Sequence, residues 1–487
     1  MRAVLAVVML VGFFVLAFGM TFGLGAAVVI AFTTGHSGVG VAKAGILALV
    51  VAFAVGGALW KALRTKDEAE GAPLTREEQP RLWAAVDELA AVAGTRPPDD
   101  VRLVPSVNAA VWEKTSFLGL KPGPRHLMIG LPLLAGLSVG EIRSVLAHEL
   151  GHYGGGHTRL SALTYRAKNA LAATVENLDG NLLRYPLYWY AQLYAIVAAS
   201  ATRRQELEAD RASVVAAGRE TAQSALRKVL SLDVAWNVYH ENYVSLSLAA
   251  ERTPRVMVGF RAFLGDPTRQ EQLAEVQDRL VDEESSSVFD SHPPIRVRIK
   301  AMDALPAADV PRDDRPGWTL VDGIEEMEKG LIRDDLGPVA DWPELVERAG
   351  AAQISHYANI LAEAGRASGI APHGTSDEII ASLARGEALE ALRPHVVDPA
   401  LTGNEMVTAL LEVVRELLAA LVVDELVRAG RARFAVNWGR EWDVVVDGRA
   451  VDVPALVAPV VVDPREAGDV AERILALRGG SDLRHSM

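Results

Sequence analysis

The sequence predicts an α+β protein that is mostly helical. It has an N-terminal transmembrane helical hairpin, a helix-rich middle domain with a small edge sheet, and a small C-terminal α+β domain. Three observations predict it. Residues 1–60 hold only two charged side chains, Arg2 and Lys43, and no acid. Residues 74–302 repeat apolar positions at helical spacing, broken by a few short β-type runs. Near the C-terminus, a helical pattern over 406–428 is followed by the alternating run VVVDGRAVDV. At 487 residues, the chain has room for two or three folded parts.

The hairpin rests on two apolar stretches, 3–32 and 44–60. Each is near or above the roughly 20 residues that a helix needs to cross about 30 Å of hydrocarbon. The polar break at 33–40 turns one span into the next. A cleaved signal peptide is the rival, but its apolar core is about 7–15 residues and no second span follows at once. Arg2 precedes the hairpin, and Lys61, Arg64 and Lys66 follow it. By the positive-inside bias both ends face the cytoplasm, so the expectation over 1–66 is a multi-pass anchor in the cell membrane, with the lipid bilayer as a partner. Gly19-x-x-x-Gly23 has the spacing of a close helix contact, although glycine is common in such spans.

Composition removes several classes. There is no cysteine, so any metal must be held by histidine and carboxylate. A net charge of −13 with no clustered Lys/Arg face excludes nucleic acid as the main partner.

In the middle domain, short strands are expected at 101–104, 107–111 and 126–129. From 303 to 348 there are 13 acids, 5 bases and prolines at 306, 311, 316, 338 and 343, which predicts an acidic linker. The remaining 349–487 form the C-terminal domain, where Asp447-Gly448 reads as a two-residue hairpin turn.

The strongest chemical signal is His148-Glu149-Leu150-Gly151-His152, an H-E-x-x-H motif. Ser138 and Glu141 make a capping-box start, Ile142, Leu146 and Leu150 form an apolar stripe, and Gly154-Gly155-Gly156 ends the segment. On that helix the two imidazoles stack one turn apart and can share a zinc ion at about 2.0–2.1 Å each, while Glu149 reaches a water in the open position. The plain alternative is a surface or core pair of histidines.

A catalytic zinc needs a third protein ligand. An H-E-x-x-H-x-x-G-x-x-H continuation fails, because position 158 is Thr and His157 comes one place early. A second helix offers Arg203-Arg204-Gln205-Glu206-Leu207-Glu208-Ala209-Asp210, with Glu206 and Asp210 on one face. Glu206 on the metal, with Asp210 accepting a hydrogen bond from a ligand histidine, is the expected pairing. An exposed charged helix is the alternative for this stretch.

Together these motifs resemble the HtpX and CAAX prenyl protease-like family of membrane zinc metallopeptidases, the gluzincins, over roughly residues 75–302. The run LMIGLPLLAGLSVGEIRSVLAHELGH (127–152) resembles the family's strand, turn and active-site helix. Glu206-x-x-x-Asp210 resembles its second motif, and His292-Pro293-Pro294 with Arg298 its third. The resemblance implies a gluzincin-type zinc peptidase domain over 74–302, with His148, His152 and Glu206 holding one zinc ion. It further implies Glu149 as general base and Asp210 as partner of a ligand histidine. Asn108-Ala109 resembles the edge strand on which an extended substrate pairs. His292, on a loop stiffened by two prolines, is expected over the zinc cleft, donating to the developing oxyanion or capping the metal, with Arg298 holding the loop through a carboxylate.

Two ambiguities remain. His157 is expected to stand behind the ligands or at the surface. The apolar run 185–201 is expected to form half of a buried or membrane-skimming hairpin with 160–178, because Arg166, Lys168 and Glu176 make the latter a costly span. The whole predicts a membrane-anchored, cytoplasm-facing zinc metalloendopeptidase acting on polypeptides. The competing class is a non-catalytic membrane zinc-site or sensor module.

Overall fold

A computed structural model of the chain describes residues 2–34, scattered positions between 38 and 53, residues 70–113, 123–154, 171, 174–175, 184–284, 292–306, 309–331 and 336–479. It divides into two compact units, 1–235 with 273–332, and 236–272 with 333–487. The described residues are mostly helical, with three small sheets.

In the first unit, α1 (Arg2–Thr33) is one apolar helix, of which Val8–Thr33 is long and apolar enough to cross a membrane. The second expected span, 44–60, lies for the most part outside the described residues. Beyond it come β1 (Ala72–Pro73), α2 (Pro80–Val92), β2 (Asp100–Val104), β3 (Ala109–Glu113) and β4 (Arg125–Gly130). They form a sheet of order β1-β2-β4-β3, with β2 parallel and β3 antiparallel to β4. Val101, Leu103, Leu127 and Ile129 are fully buried on one face, as period-2 alternation requires. The expected strand at 107–111 is shifted to 109–113, leaving Asn108 just before it, where its carbonyl accepts from the Gly130 amide at 2.7 Å.

Next come α3 (Val139–Gly151), α4 (Arg184–Ala217) and α5 (Ile295–Asp303). The apolar run 185–201 is the first half of α4, a continuous helix of 34 residues, and it packs along α1. Phe13, Leu187, Tyr194 and Ala198 are buried between the two, and the Tyr190 hydroxyl donates to the Met9 carbonyl at 2.7 Å. Most of 160–178, the other half of the expected hairpin, lies outside the described residues.

The second unit joins 236–272, from within the expected middle domain, to the C-terminal part. Strand β5 (Thr253–Pro254) pairs in parallel with β6 (Val339–Ala340). Tyr239, Phe260, Phe263 and Trp342 form an aromatic core, with Tyr239 5.2 Å from Phe260 and 5.7 Å from Trp342. Helices α6 (Trp342–Ala367) and α7 (Gly403–Arg428) pack together beside the antiparallel β7 (Ala432–Val436), β8 (Trp442–Val446) and β9 (Arg449–Ala450). Asp447 and Gly448 both have positive φ, 50° and 81°, as the two-residue turn demands.

Of the acidic stretch 303–348, residues up to 332 belong to the first unit and those from 333 to the second. Leu320, Val321 and Ile324 are buried, and a helix spans Ile324–Leu331. Burial of these few apolar side chains overrides a composition that by charge alone reads as solvated.

Candidate metal centre

Helix α3 starts on the capping box expected for it. The Glu141 amide donates to Ser138 Oγ at 3.2 Å, and the Ser138 amide donates to Glu141 Oε2 at 2.9 Å. Lys228 Nζ and Ser224 Oγ hold the same carboxylate at 2.8 and 2.6 Å. Ile142, Leu146 and Leu150 are buried, while His148 and His152 stay partly exposed one turn apart, ring centroids 4.7 Å. A Cβ added at Gly151 would stand 3.0 Å from Cα of Ala209, so the glycine allows α3 and α4 to cross at close range. Ser213 Oγ closes the crossing by donating to the Ser144 carbonyl at 2.9 Å. These packing residues escaped the sequence reading, although small residues at 151 and 209 were the available signal.

The crossing brings Glu206 to the two histidines. One donor atom each from His148, His152 and Glu206 lies within 4.8 Å of the others. His148 Nε2 is 3.5 Å from Glu206 Oε2, and His152 Nε2 is 3.6 Å from Glu206 Oε1. Donors about 2.0–2.2 Å from one tetrahedral ion stand roughly 3.3–3.5 Å apart, so the group has the spacing of a shared-cation site. Glu206 Oε2 is buried and accepts no hydrogen bond from a described residue. Its nearest donors, His148 Nε2 at 3.5 Å and Arg298 Nη1 at 3.6 Å, are too distant for good hydrogen bonds, and a metal ion among the three donors would satisfy this costly buried oxygen. Two imidazoles and a carboxylate suit a divalent metal.

Behind the donors, His148 Nδ1 stands 3.1 Å from Asp210 Oδ1. Arg298, on α5, grips that carboxylate with Nε at 2.9 Å and Nη2 at 2.5 Å. The loop before α5 brings His292 Nδ1 to 3.0 Å from Glu206 Oε1, while the rest of the ring stays exposed. His292 therefore lies at the centre and not on a far surface. Glu149 is half-buried on α3, and its carboxylate makes no hydrogen bond to a described residue. Strand β3 is an edge of its sheet and packs against α3, so Asn108 and Ala109 lie at that edge. His157 lies outside the described residues.

The cluster polarises its own members. Burial pushes the Glu149 carboxyl up to about 7, against the opposing pull of His148. Burial and repulsion from His148 bring His152 down to about 4. For His148 burial acts downward, but the Asp210 and Glu206 carboxylates beside it outweigh that and raise the ring to about 9. Burial acts upward on Glu206, yet His148 and His292 hold it well below the usual carboxylate range.

A family model described as peptidase family M48 matches residues 76–305. The protein named Protease HtpX homolog 1 of Streptomyces coelicolor is 26% identical over 215 residues, 39% of this chain and 66% of that protein. Protease HtpX of Pseudomonas aeruginosa is 28% identical over 196 residues, 35% of this chain and 64% of that protein. Protease HtpX of Stutzerimonas stutzeri is 26% identical over 194 residues, 35% and 63% respectively. The chain spans just under two thirds of the length of the curated relatives it matches. No solved structure matches.

Proposed function

Residues 76–305 being an HtpX-like peptidase family M48 domain, we propose that the protein is a membrane-anchored zinc-dependent metalloendopeptidase that hydrolyses peptide bonds of polypeptides. The observation that carries this reading is the convergence of His148, His152 and Glu206 on helices α3 and α4, with Glu149 next to His148 on α3. His148 and His152 through Nε2, with Glu206, would hold the zinc. When bound, zinc polarises the scissile carbonyl and makes water acidic enough to attack near neutral pH. Glu149 takes the proton of the attacking water and returns it to the leaving nitrogen, a task suited to a carboxyl with a pKa about 7. His292 would donate a hydrogen bond to the oxygen that gains charge, or cover the centre at rest. The edge at Asn108 and Ala109 is suited to pairing with an extended substrate.

Helix α1 supports a bilayer anchor, since its large apolar side chains, such as Val15, Phe22 and Ile30, are exposed. Glu206 lies five helical steps after Ala201 along α4, about 7–8 Å at helical rise, so a spanning α1 would hold the centre near the membrane surface. The flanking cations favour the cytoplasmic side.

The deciding experiment is metal analysis with peptide hydrolysis on the full-length protein in detergent, beside Glu149→Gln. The reading expects about one zinc per chain in both and hydrolysis by the wild type alone, with turnover at least 10²-fold lower in the variant. Zinc without hydrolysis in the wild type would favour a non-catalytic zinc module. Wild-type turnover by Glu149→Gln would remove Glu149 as the base.

A further inference from the structure

The second unit contains an open cleft of about 640 Å³ between α6, α7 and the strand β8, within the range of ligand-binding cavities. Its floor is apolar, formed by Leu417, Ala420 and Val423 along one face of α7, with Ile354 of α6 and Val444 of β8. The α7 face runs from Glu412 to Val423, about 16 Å at helical rise, so the cleft is a groove that fits about three turns of helix.

The rim is acidic and unbalanced. Glu412 and Glu416 stand exposed along α7, and Glu441 enters from the turn before β8. Glu412 and Glu441 pair with no cation among the described residues. The cations nearest to hand are already committed, Arg415 to Glu416 at 2.7 Å and Arg440 to Asp443 at 2.6 Å. Glu441 is half-buried at φ 32°, a backbone that a glycine holds at less cost, and burial pushes its carboxyl up. An approaching cation would relieve that penalty. Tyr357, 48% exposed, and Trp442 line the same cleft and offer aromatic faces to an ammonium or guanidinium group.

We propose that this groove docks a basic amphipathic segment of a polypeptide. Apolar side chains would settle on the Leu417–Val423 floor, and flanking Lys or Arg would meet Glu412, Glu416 and Glu441, as a helix seats in a groove. An acidic segment of equal hydrophobicity would set like charges against the rim and be rejected. The proposal deepens the peptidase reading by naming what a substrate presents away from the scissile bond, and rests on that reading only for the occupant being a polypeptide to be cut.

The test measures binding without cleavage, so its failure and failure of the peptidase reading are distinguishable. Fluorescently labelled 18-residue Lys/Leu and Glu/Leu helical peptides are titrated by anisotropy into the full-length protein in detergent. The expected result is saturable binding of the basic peptide alone, weakened about tenfold or more by the double change Glu412→Lys, Glu416→Lys. Glu363→Lys, an exposed change on α6 away from the groove, should bind as the wild type does. A circular dichroism spectrum matching wild type shows that the double variant is folded. Equal binding by both peptides, or unchanged affinity in the folded double variant, overturns the proposal. So does binding of spermine with none of the peptide, which would make the groove a small-polycation site.

Discussion

Nδ1 of His148 lies 3.1 Å from Oδ1 of Asp210, and Arg298 closes on the same carboxylate from the other side. Asp210 thus serves a prospective metal ligand and a buried guanidinium at once. Asp210→Ala should lower metal affinity about 10–100-fold, because the imidazole loses the group that orients it. It should also destabilise the fold, by at most about 3–5 kcal/mol, since buried Arg298 loses its hydrogen-bonded carboxylate and keeps only Glu206 at 3.6 Å. Asp210→Asn should unfold less readily while keeping a metal defect. Chelator competition and thermal unfolding separate the two effects. Intact metal affinity in Asp210→Ala would mean that the carboxylate serves Arg298 alone.

Metal affinity should rise with pH. Burial works against protonating His148, but the Asp210 and Glu206 carboxylates beside it prevail and keep the proton on up to about 9. A histidine must be neutral to offer its lone pair to a metal, so metal entry near pH 7 expels that proton. His152, lowered to about 4, and Glu206, held below the usual range, bring none. The sign is therefore a gain of roughly tenfold in affinity per pH unit between about pH 7 and 9. A flat profile in metal titrations would show that His148 already sits neutral.

Glu206→Ala should lose or weaken metal binding, because it removes the one carboxylate of the three-donor group. Metal content after dialysis is the readout. A fully loaded and active variant would pass the third position to another group, with His157 the first to examine.

His292 contacts the same carboxylate from outside the helix crossing, at 3.0 Å from Glu206 Oε1. His292→Ala should leave metal content unchanged and lower peptide turnover about tenfold or more, since losing one oxyanion donor typically costs about 10²–10³. A rise in turnover would instead identify a resting-state cover. Unchanged metal and unchanged turnover would reduce His292 to a residue of the proline loop.

A membrane anchor with cytoplasmic ends makes a topological prediction. Reporters fused after residue 70 and at the C-terminus should both be accessible from the cytoplasm, because the cations flank the two apolar stretches on their outer ends. An external signal at either position would show that Arg2 and Lys61–Lys66 do not set the orientation.

The sequence by itself determined the helix over 139–151 and the shared face of its two histidines, because each signal is local. Ser138 and Glu141 cap each other three residues apart, the apolar stripe repeats every four, and His148 and His152 share a face by helical spacing alone. The Asp447-Gly448 turn was legible for the same reason, since positive φ at both positions is a property of the dipeptide. Tertiary structure alone decided which distant groups meet. Glu206 reaches His148 because Gly151 and Ala209 let two helices cross closely, and Arg298 reaches Asp210 across 88 residues of chain. It also decided that 236–272 packs with the C-terminal part, through aromatic contacts between Tyr239 and Trp342 that leave no periodic trace. Such contacts are selected by the burial and ion pairing they complete against the entropy of closing long loops, and neither quantity is carried by a window of neighbouring residues.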